Sequence, residues 1–140
     1  MNKKVMMGAI GVYVWMAVWE MIVNMGILSA DYMATAQLWR PEAEIKVYLF
    51  YIIYIFVSYL LAVIFSKGYE GKGISEGVRF GIYIGIFMAV PMAYGTYAVM
   101  PIPYSLALKW FFCGLIEYVV AGVILASVFG KQATVTKVAG

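Results

Sequence analysis

Four long apolar blocks dominate this chain, at about residues 5–28, 45–66, 78–100 and 104–129. Each is near or above the ~20 residues a helix needs to cross a ~30 Å hydrocarbon core. Backbone groups in lipid must be paired within the segment, so blocks of this length read as helices; barrel strands would be about half as long and would alternate. Only 12% of the 140 residues are charged and 65% are hydrophobic, against roughly 25% charged in an ordinary soluble domain. A soluble fold this short leaves too much surface in water to hide that much apolar area. The expectation is an all-α, polytopic membrane protein, with four transmembrane helices forming a single domain over residues 1–140.

Lys3 and Lys4 precede the first block as they would in a signal peptide. The block is long, however, contains Glu20 and Asn24, and places bulky Leu28 two residues before Ala30, where a cleavage site requires a small residue. It is expected to be retained as a span.

Orientation follows from the ten Lys and Arg residues. Lys3, Lys4, Lys67, Lys72, Arg79, Lys131 and Lys137 fall on one side; Arg40, Lys46 and Lys109 lie on the other or reach toward it. The excess of positive charge predicts an N-in, C-in topology in a cell membrane, with a bacterial inner membrane as the expected location. The net charge of +3 is spread singly along that face. This suits a bilayer with anionic headgroups as partner and is too sparse for a nucleic-acid surface.

Span boundaries carry their own signals. Pro41, Glu42 and Glu44 form a helix-start signature before the second block, and Pro103 plays the same part for the fourth. Ser75 is the expected N-cap of the third span, after a glycine-rich loop at 68–73. The less apolar segment 29–40, with Tyr32 and Trp39, is expected at the membrane interface. Pro91 should kink the third span and free a carbonyl near Phe87 or Val90. Paired segments suggest a parallel repeat of two hairpins: Gly11-Val-Tyr-Val14 with Gly81-Ile-Tyr-Ile84, Lys46 with Lys109, and Ala62, Phe65 and Lys67 with Ala126, Phe129 and Lys131.

In the third block Gly73, Gly77, Gly81 and Gly85 recur every four residues, and Ala89 and Ala93 continue the row. This spacing keeps small residues on one helix face, so a neighbouring backbone can approach closely. The ladder marks helix packing and by itself no chemistry.

Chemistry, if present, belongs to the few polar residues inside the spans. At about 100° per residue, Tyr13, Ala17, Glu20 and Asn24 share a stripe of the first span, while Trp15 and Trp19 face elsewhere. Tyr48, Tyr51, Tyr54, Ser58 and Tyr59 share an arc of the second, and Glu117 shares its face with Trp110, Gly114 and Ala121. Counting ~1.5 Å per residue places Glu20 and Lys109 both roughly 10 Å below the outer surface, at pairing depth. Glu117 comes out about 21 Å down, level with Tyr13, Ser58 and Tyr59 and with no cation. A lone buried carboxylate is costly, so Glu117 is expected to be neutral or hydrogen-bonded, either as a proton or cation site or as a satisfied structural acid. The tyrosines and the ten Met residues read as packing, and Cys113 as a small buried residue that has no partner for a disulfide. The chain has no His, which removes the commonest zinc ligand and His-ligated haem. No metal and no cofactor are therefore expected.

The stretch Gly77–Gly130, with Gly-Val-Arg-Phe-Gly-Ile-Tyr-Ile-Gly and Tyr-Ala-Val-Met-Pro-Ile-Pro-Tyr-Ser-Leu-Ala-Leu-Lys-Trp, resembles small uncharacterised bacterial inner-membrane proteins with four helices. That resemblance implies the fold and no activity. A Glu within the first span also resembles small multidrug-resistance exporters, whose third-helix Gly pattern with its Trp is not found here.

Two function classes fit these residues. The first is a non-enzymatic subunit that packs through the Gly ladder as a homo-oligomer or within a larger membrane complex. The second is a small proton- or cation-coupled transporter that uses Glu117, with or without Glu20. An enzyme ranks third, because no nucleophile–base pair, metal cluster or phosphate loop is present in the sequence.

Overall fold

The computed structural model describes residues 2–130; Lys131 and Lys137, counted above for orientation and repeat, lie outside them. Within that range the chain is helical, and four helices are long and apolar enough to cross a membrane. Helix α1 runs Lys3–Ile22, opened by Asn2, whose side-chain oxygen accepts from the Lys4 backbone N–H at 2.9 Å. It continues as one π-helical turn, Val23–Ile27, closed by Leu28 N–H donating to Val23 O at 2.8 Å. A short helix α2, Ser29–Ala34, then folds back, anchored by the fully buried Leu28. The remaining helices are α3 (Val47–Gly68), α4 (Ile74–Val99) and α5 (Tyr104–Phe129, with Pro103 as N-cap).

Two boundary expectations are corrected. Pro41, Glu42 and Glu44 do not open α3; they build a separate 3-10 turn, Glu42–Glu44, and the helix begins at Val47. Ser75 does not cap α4. Gly73 is itself the N-cap, at φ 84°, a conformation that suits a residue without Cβ. No side chain caps α4, and the loop before it is held instead by Glu76, which sequence reasoning missed. Its buried carboxylate accepts the backbone N–H of Glu70 at 2.7 Å and of Lys72 at 2.9 Å, tying the loop to the first turn of α4. Pro91 sits on the exposed side of α4, and the helix runs through it.

The long helices stand in the order α3–α1–α5–α4, with α4 packed mainly on α5 and α3 mainly on α1. Gly77, Gly81, Gly85, Ala89 and Ala93 are buried in this structure, and the first four face α5. A Cβ added to Gly81 would stand 2.5 Å from Val119 Cα, and one on Gly77 would stand 2.6 Å from Ala126 Cβ. From the other side, Gly122 of α5 meets the Gly77 backbone, and a Cβ on Gly114 would lie 3.1 Å from that of Ala89. Backbones this close gain dispersion and Cα–H···O contacts that no larger residue would permit.

Two apolar clusters hold the row together. Val12, Met16, Ala62, Phe65, Leu125 and Phe129 fill the end that carries the α1 N-terminus. Leu28, Ile102, Leu106 and Trp110 fill the end beneath α2.

Candidate functional site

Two indoles set the register of α1 against α5. Trp15 and Trp19 lie one turn apart and stack with ring centroids 5.3 Å apart. Trp15 Nε1 donates to the backbone oxygen of Glu117 at 2.9 Å, and Trp19 Nε1 to that of Cys113 at 3.0 Å. The tryptophans, which lie off the Glu20 stripe, thus pin the antiparallel pair. Both amphipathic rings bury their apolar bodies and find an acceptor for their one donor.

With Trp15 level with Glu117, the Cα of Glu20 stands about 7 Å nearer the α2 end. Helical side chains lean toward their own N-terminus. In an antiparallel pair Glu20 therefore leans down and Glu117 leans up, which turns the two carboxyl groups toward each other. Glu117 is only 6% exposed, and its Oε1 has no partner among the described residues. Glu20 is half-buried. Asn24, in the π turn, holds it from behind: Asn24 Nδ2 donates to Glu20 Oε2 at 3.0 Å and to Glu20 O at 2.8 Å. Tyr54 of α3 and Tyr118 of α5, both buried in the first apolar cluster, stand near the two acids.

Like charges that face each other away from water repel more strongly than in bulk solvent. A second acid facing a buried one with no cation beside it adds to the cost of charge at this point, which favours a proton or a bound cation there.

Lys109 does not neutralise either acid. Its ammonium lies 2.8 Å from Asp31 Oδ2 in α2, so the expected Glu20–Lys109 pairing is replaced by one that sequence reasoning did not consider. The cause is the fold-back of α2. Segment 29–40 caps the helix ends through Trp110 Nε1 donating to the Tyr32 hydroxyl at 2.9 Å and through edge contacts of Trp39 with Tyr32 and Trp110. That brings Asp31 over Lys109.

The other residues expected beside Glu117 do not assemble there. Ser58 is buried, but its hydroxyl donates to Ile55 O at 3.2 Å on its own helix. Tyr59 is exposed and lines a cleft beside Lys4, at the opposite end from α2. Tyr13 is half-buried against the first apolar cluster. Of the six polar residues singled out, the structure joins Glu20 with Glu117 and adds Asn24, Tyr54 and Tyr118. Asn24 and Tyr54 lay on the polar faces read from the sequence; Tyr118 carried no such signal. No group of acidic residues and Cys with metal-holding geometry occurs among the described residues.

Comparison with family models, curated proteins and solved structures finds no match for this chain. Function therefore has to be argued from the carboxyl pair and its surroundings.

Proposed function

We propose that this chain is a multi-pass cell-membrane protein that carries a proton or a cation on the Glu20–Glu117 pair, as a small coupled transporter. The observation that carries the reading is the turning of two carboxyl groups toward each other inside the spans, with no cationic side chain paired to either among the described residues. Intramembrane acids are expensive and by default mark ion or proton paths. In this reading Glu20, held by Asn24, accepts the hydrogen bond of the pair, and the more deeply buried Glu117 carries the proton. Losing that proton leaves a charge that must be repaid by another proton or a cation, and this exchange is the elementary step of coupling. In the same reading the N- and C-termini are cytoplasmic, the membrane is a bacterial inner membrane, and the hairpins α1–α3 and α4–α5 are parallel copies. Cysteines placed at Lys72 and Gln37 should then label from opposite sides.

A second reading, a non-enzymatic assembly subunit, is favoured by the open side of the helix row at exposed Asn24 and half-buried Glu20, which a partner would shield from lipid. The Gly ladder does not support it, because that face is spent on α5 within the chain. The test is proton flux in liposomes under an imposed ion or pH gradient. The parent should carry flux and Glu117→Gln, correctly folded, should not. Equal flux in both would remove the pair from function and leave the assembly reading.

A further inference from the structure

At the end of the row opposite α2, a cleft of about 540 Å³ opens between α1 and α3 beside the C-terminus of α5. Its polar lining is Asn2, Lys4, Tyr59, Ser66, Lys67 and Tyr69, and no acidic side chain contributes. Lys4 spends one N–H on Phe129 O at 2.9 Å, which leaves two donors. Lys67 has no acidic partner among the described residues. The phenol oxygen of Tyr69 is buried with no hydrogen-bond partner among them, a group that native structures seldom leave unsatisfied. The cleft lies at the mouth of two spans, where headgroups sit. Val5, Val63 and Phe129 form its apolar floor.

We propose that this cleft binds the phosphate group of an anionic ligand, with Lys4 and Lys67 as its cationic contacts. Basic pockets between spanning helices are suited to phospholipid headgroups, the apolar floor taking the adjoining acyl chain. Free phosphate shares the recognition chemistry and lacks the chain. The inference is independent of any transport by the carboxyl pair, which lies deeper in the row.

The test uses full-length protein stripped of lipid in detergent. Binding is read by native mass spectrometry and by the shift in melting temperature on adding phosphatidylglycerol, phosphatidylcholine or inorganic phosphate. One phosphatidylglycerol should be retained per chain, in preference to phosphatidylcholine. Retention should fall roughly tenfold or more in the Lys4→Gln, Lys67→Gln double variant, as the loss of two cations near a charged surface implies. Lys67→Gln alone should weaken binding with unchanged melting of the lipid-free protein, because Lys67 makes no side-chain hydrogen bond or ion pair within the described residues. Lys46→Gln, at the other end of α3, should bind as the parent does. Saturable binding of inorganic phosphate that the double variant loses would support the site with free phosphate as its source. Equal retention of both lipids with no phosphate binding, or equal loss in the Lys46 variant, would overturn it.

Discussion

Glu20 and Glu117 turn their carboxyl groups toward each other although their Cα atoms differ in depth by about 7 Å. Antiparallel helices make this possible, because side chains that lean toward their own N-termini lean toward one another across the pair. Four predictions follow from the geometry around that pair and from the helix row that holds it.

The α4–α5 seam should respond to a single methyl group. Gly81→Ala places a Cβ against the Tyr118 carbonyl and 2.5 Å from Val119 Cα, backbone that cannot yield as a side-chain tip can. A cost of about 1–3 kcal/mol is expected, read as a lower melting temperature in detergent. Gly95→Ala has nothing within 4 Å of its added carbon and should be neutral or gain up to ~1 kcal/mol from helix propensity. Similar melting of the two variants would place the seam elsewhere.

The partner of Lys109 can be decided by double-mutant cycles. Asp31→Asn with Lys109→Gln should show a coupling of about 0.5–1 kcal/mol, modest because the Lys109 side chain is 46% exposed. Glu20→Gln with Lys109→Gln should show none. Coupling in the second cycle and not in the first would contradict the fold-back of α2.

Glu76→Gln should loosen the α3–α4 loop. The amide keeps one acceptor oxygen where the carboxylate offers two, so one of the Glu70 and Lys72 N–H groups loses its partner, at about 1–3 kcal/mol. Limited proteolysis should cut within residues 69–73 faster than in the parent. An unchanged cutting rate would show that Glu76 does not hold the loop.

The four helices long and apolar enough to cross a membrane were legible because length and apolar content decide them, and neither depends on neighbours. The site was legible only in part. Glu117 and Glu20 stood out as acids in apolar runs, yet counting Cα depth set them roughly 11 Å apart and gave Glu20 to Lys109. Side-chain lean narrowed that gap, and α2, an irregular segment with little periodic signal, took Lys109 for Asp31. Trp15 and Trp19 were not placed against α5 because a wheel shows which residues share a face and not which helix that face meets. Ser75 yielded the N-cap to Gly73 for a similar reason: Glu76 reaches back to the loop amides, a long-side-chain anchor that the short-residue rule does not anticipate.

The shared proton is the central claim, and the carboxyl infrared band of lipid-reconstituted protein tests it most directly. At pH 7 the parent should show a protonated-carboxyl band that vanishes in Glu117→Gln and changes frequency in Glu20→Gln, where the acceptor of that proton becomes an amide. A spectrum with no protonated carboxyl at pH 7, or a band that is indifferent to Glu20→Gln, would contradict the pairing and the transport reading built on it.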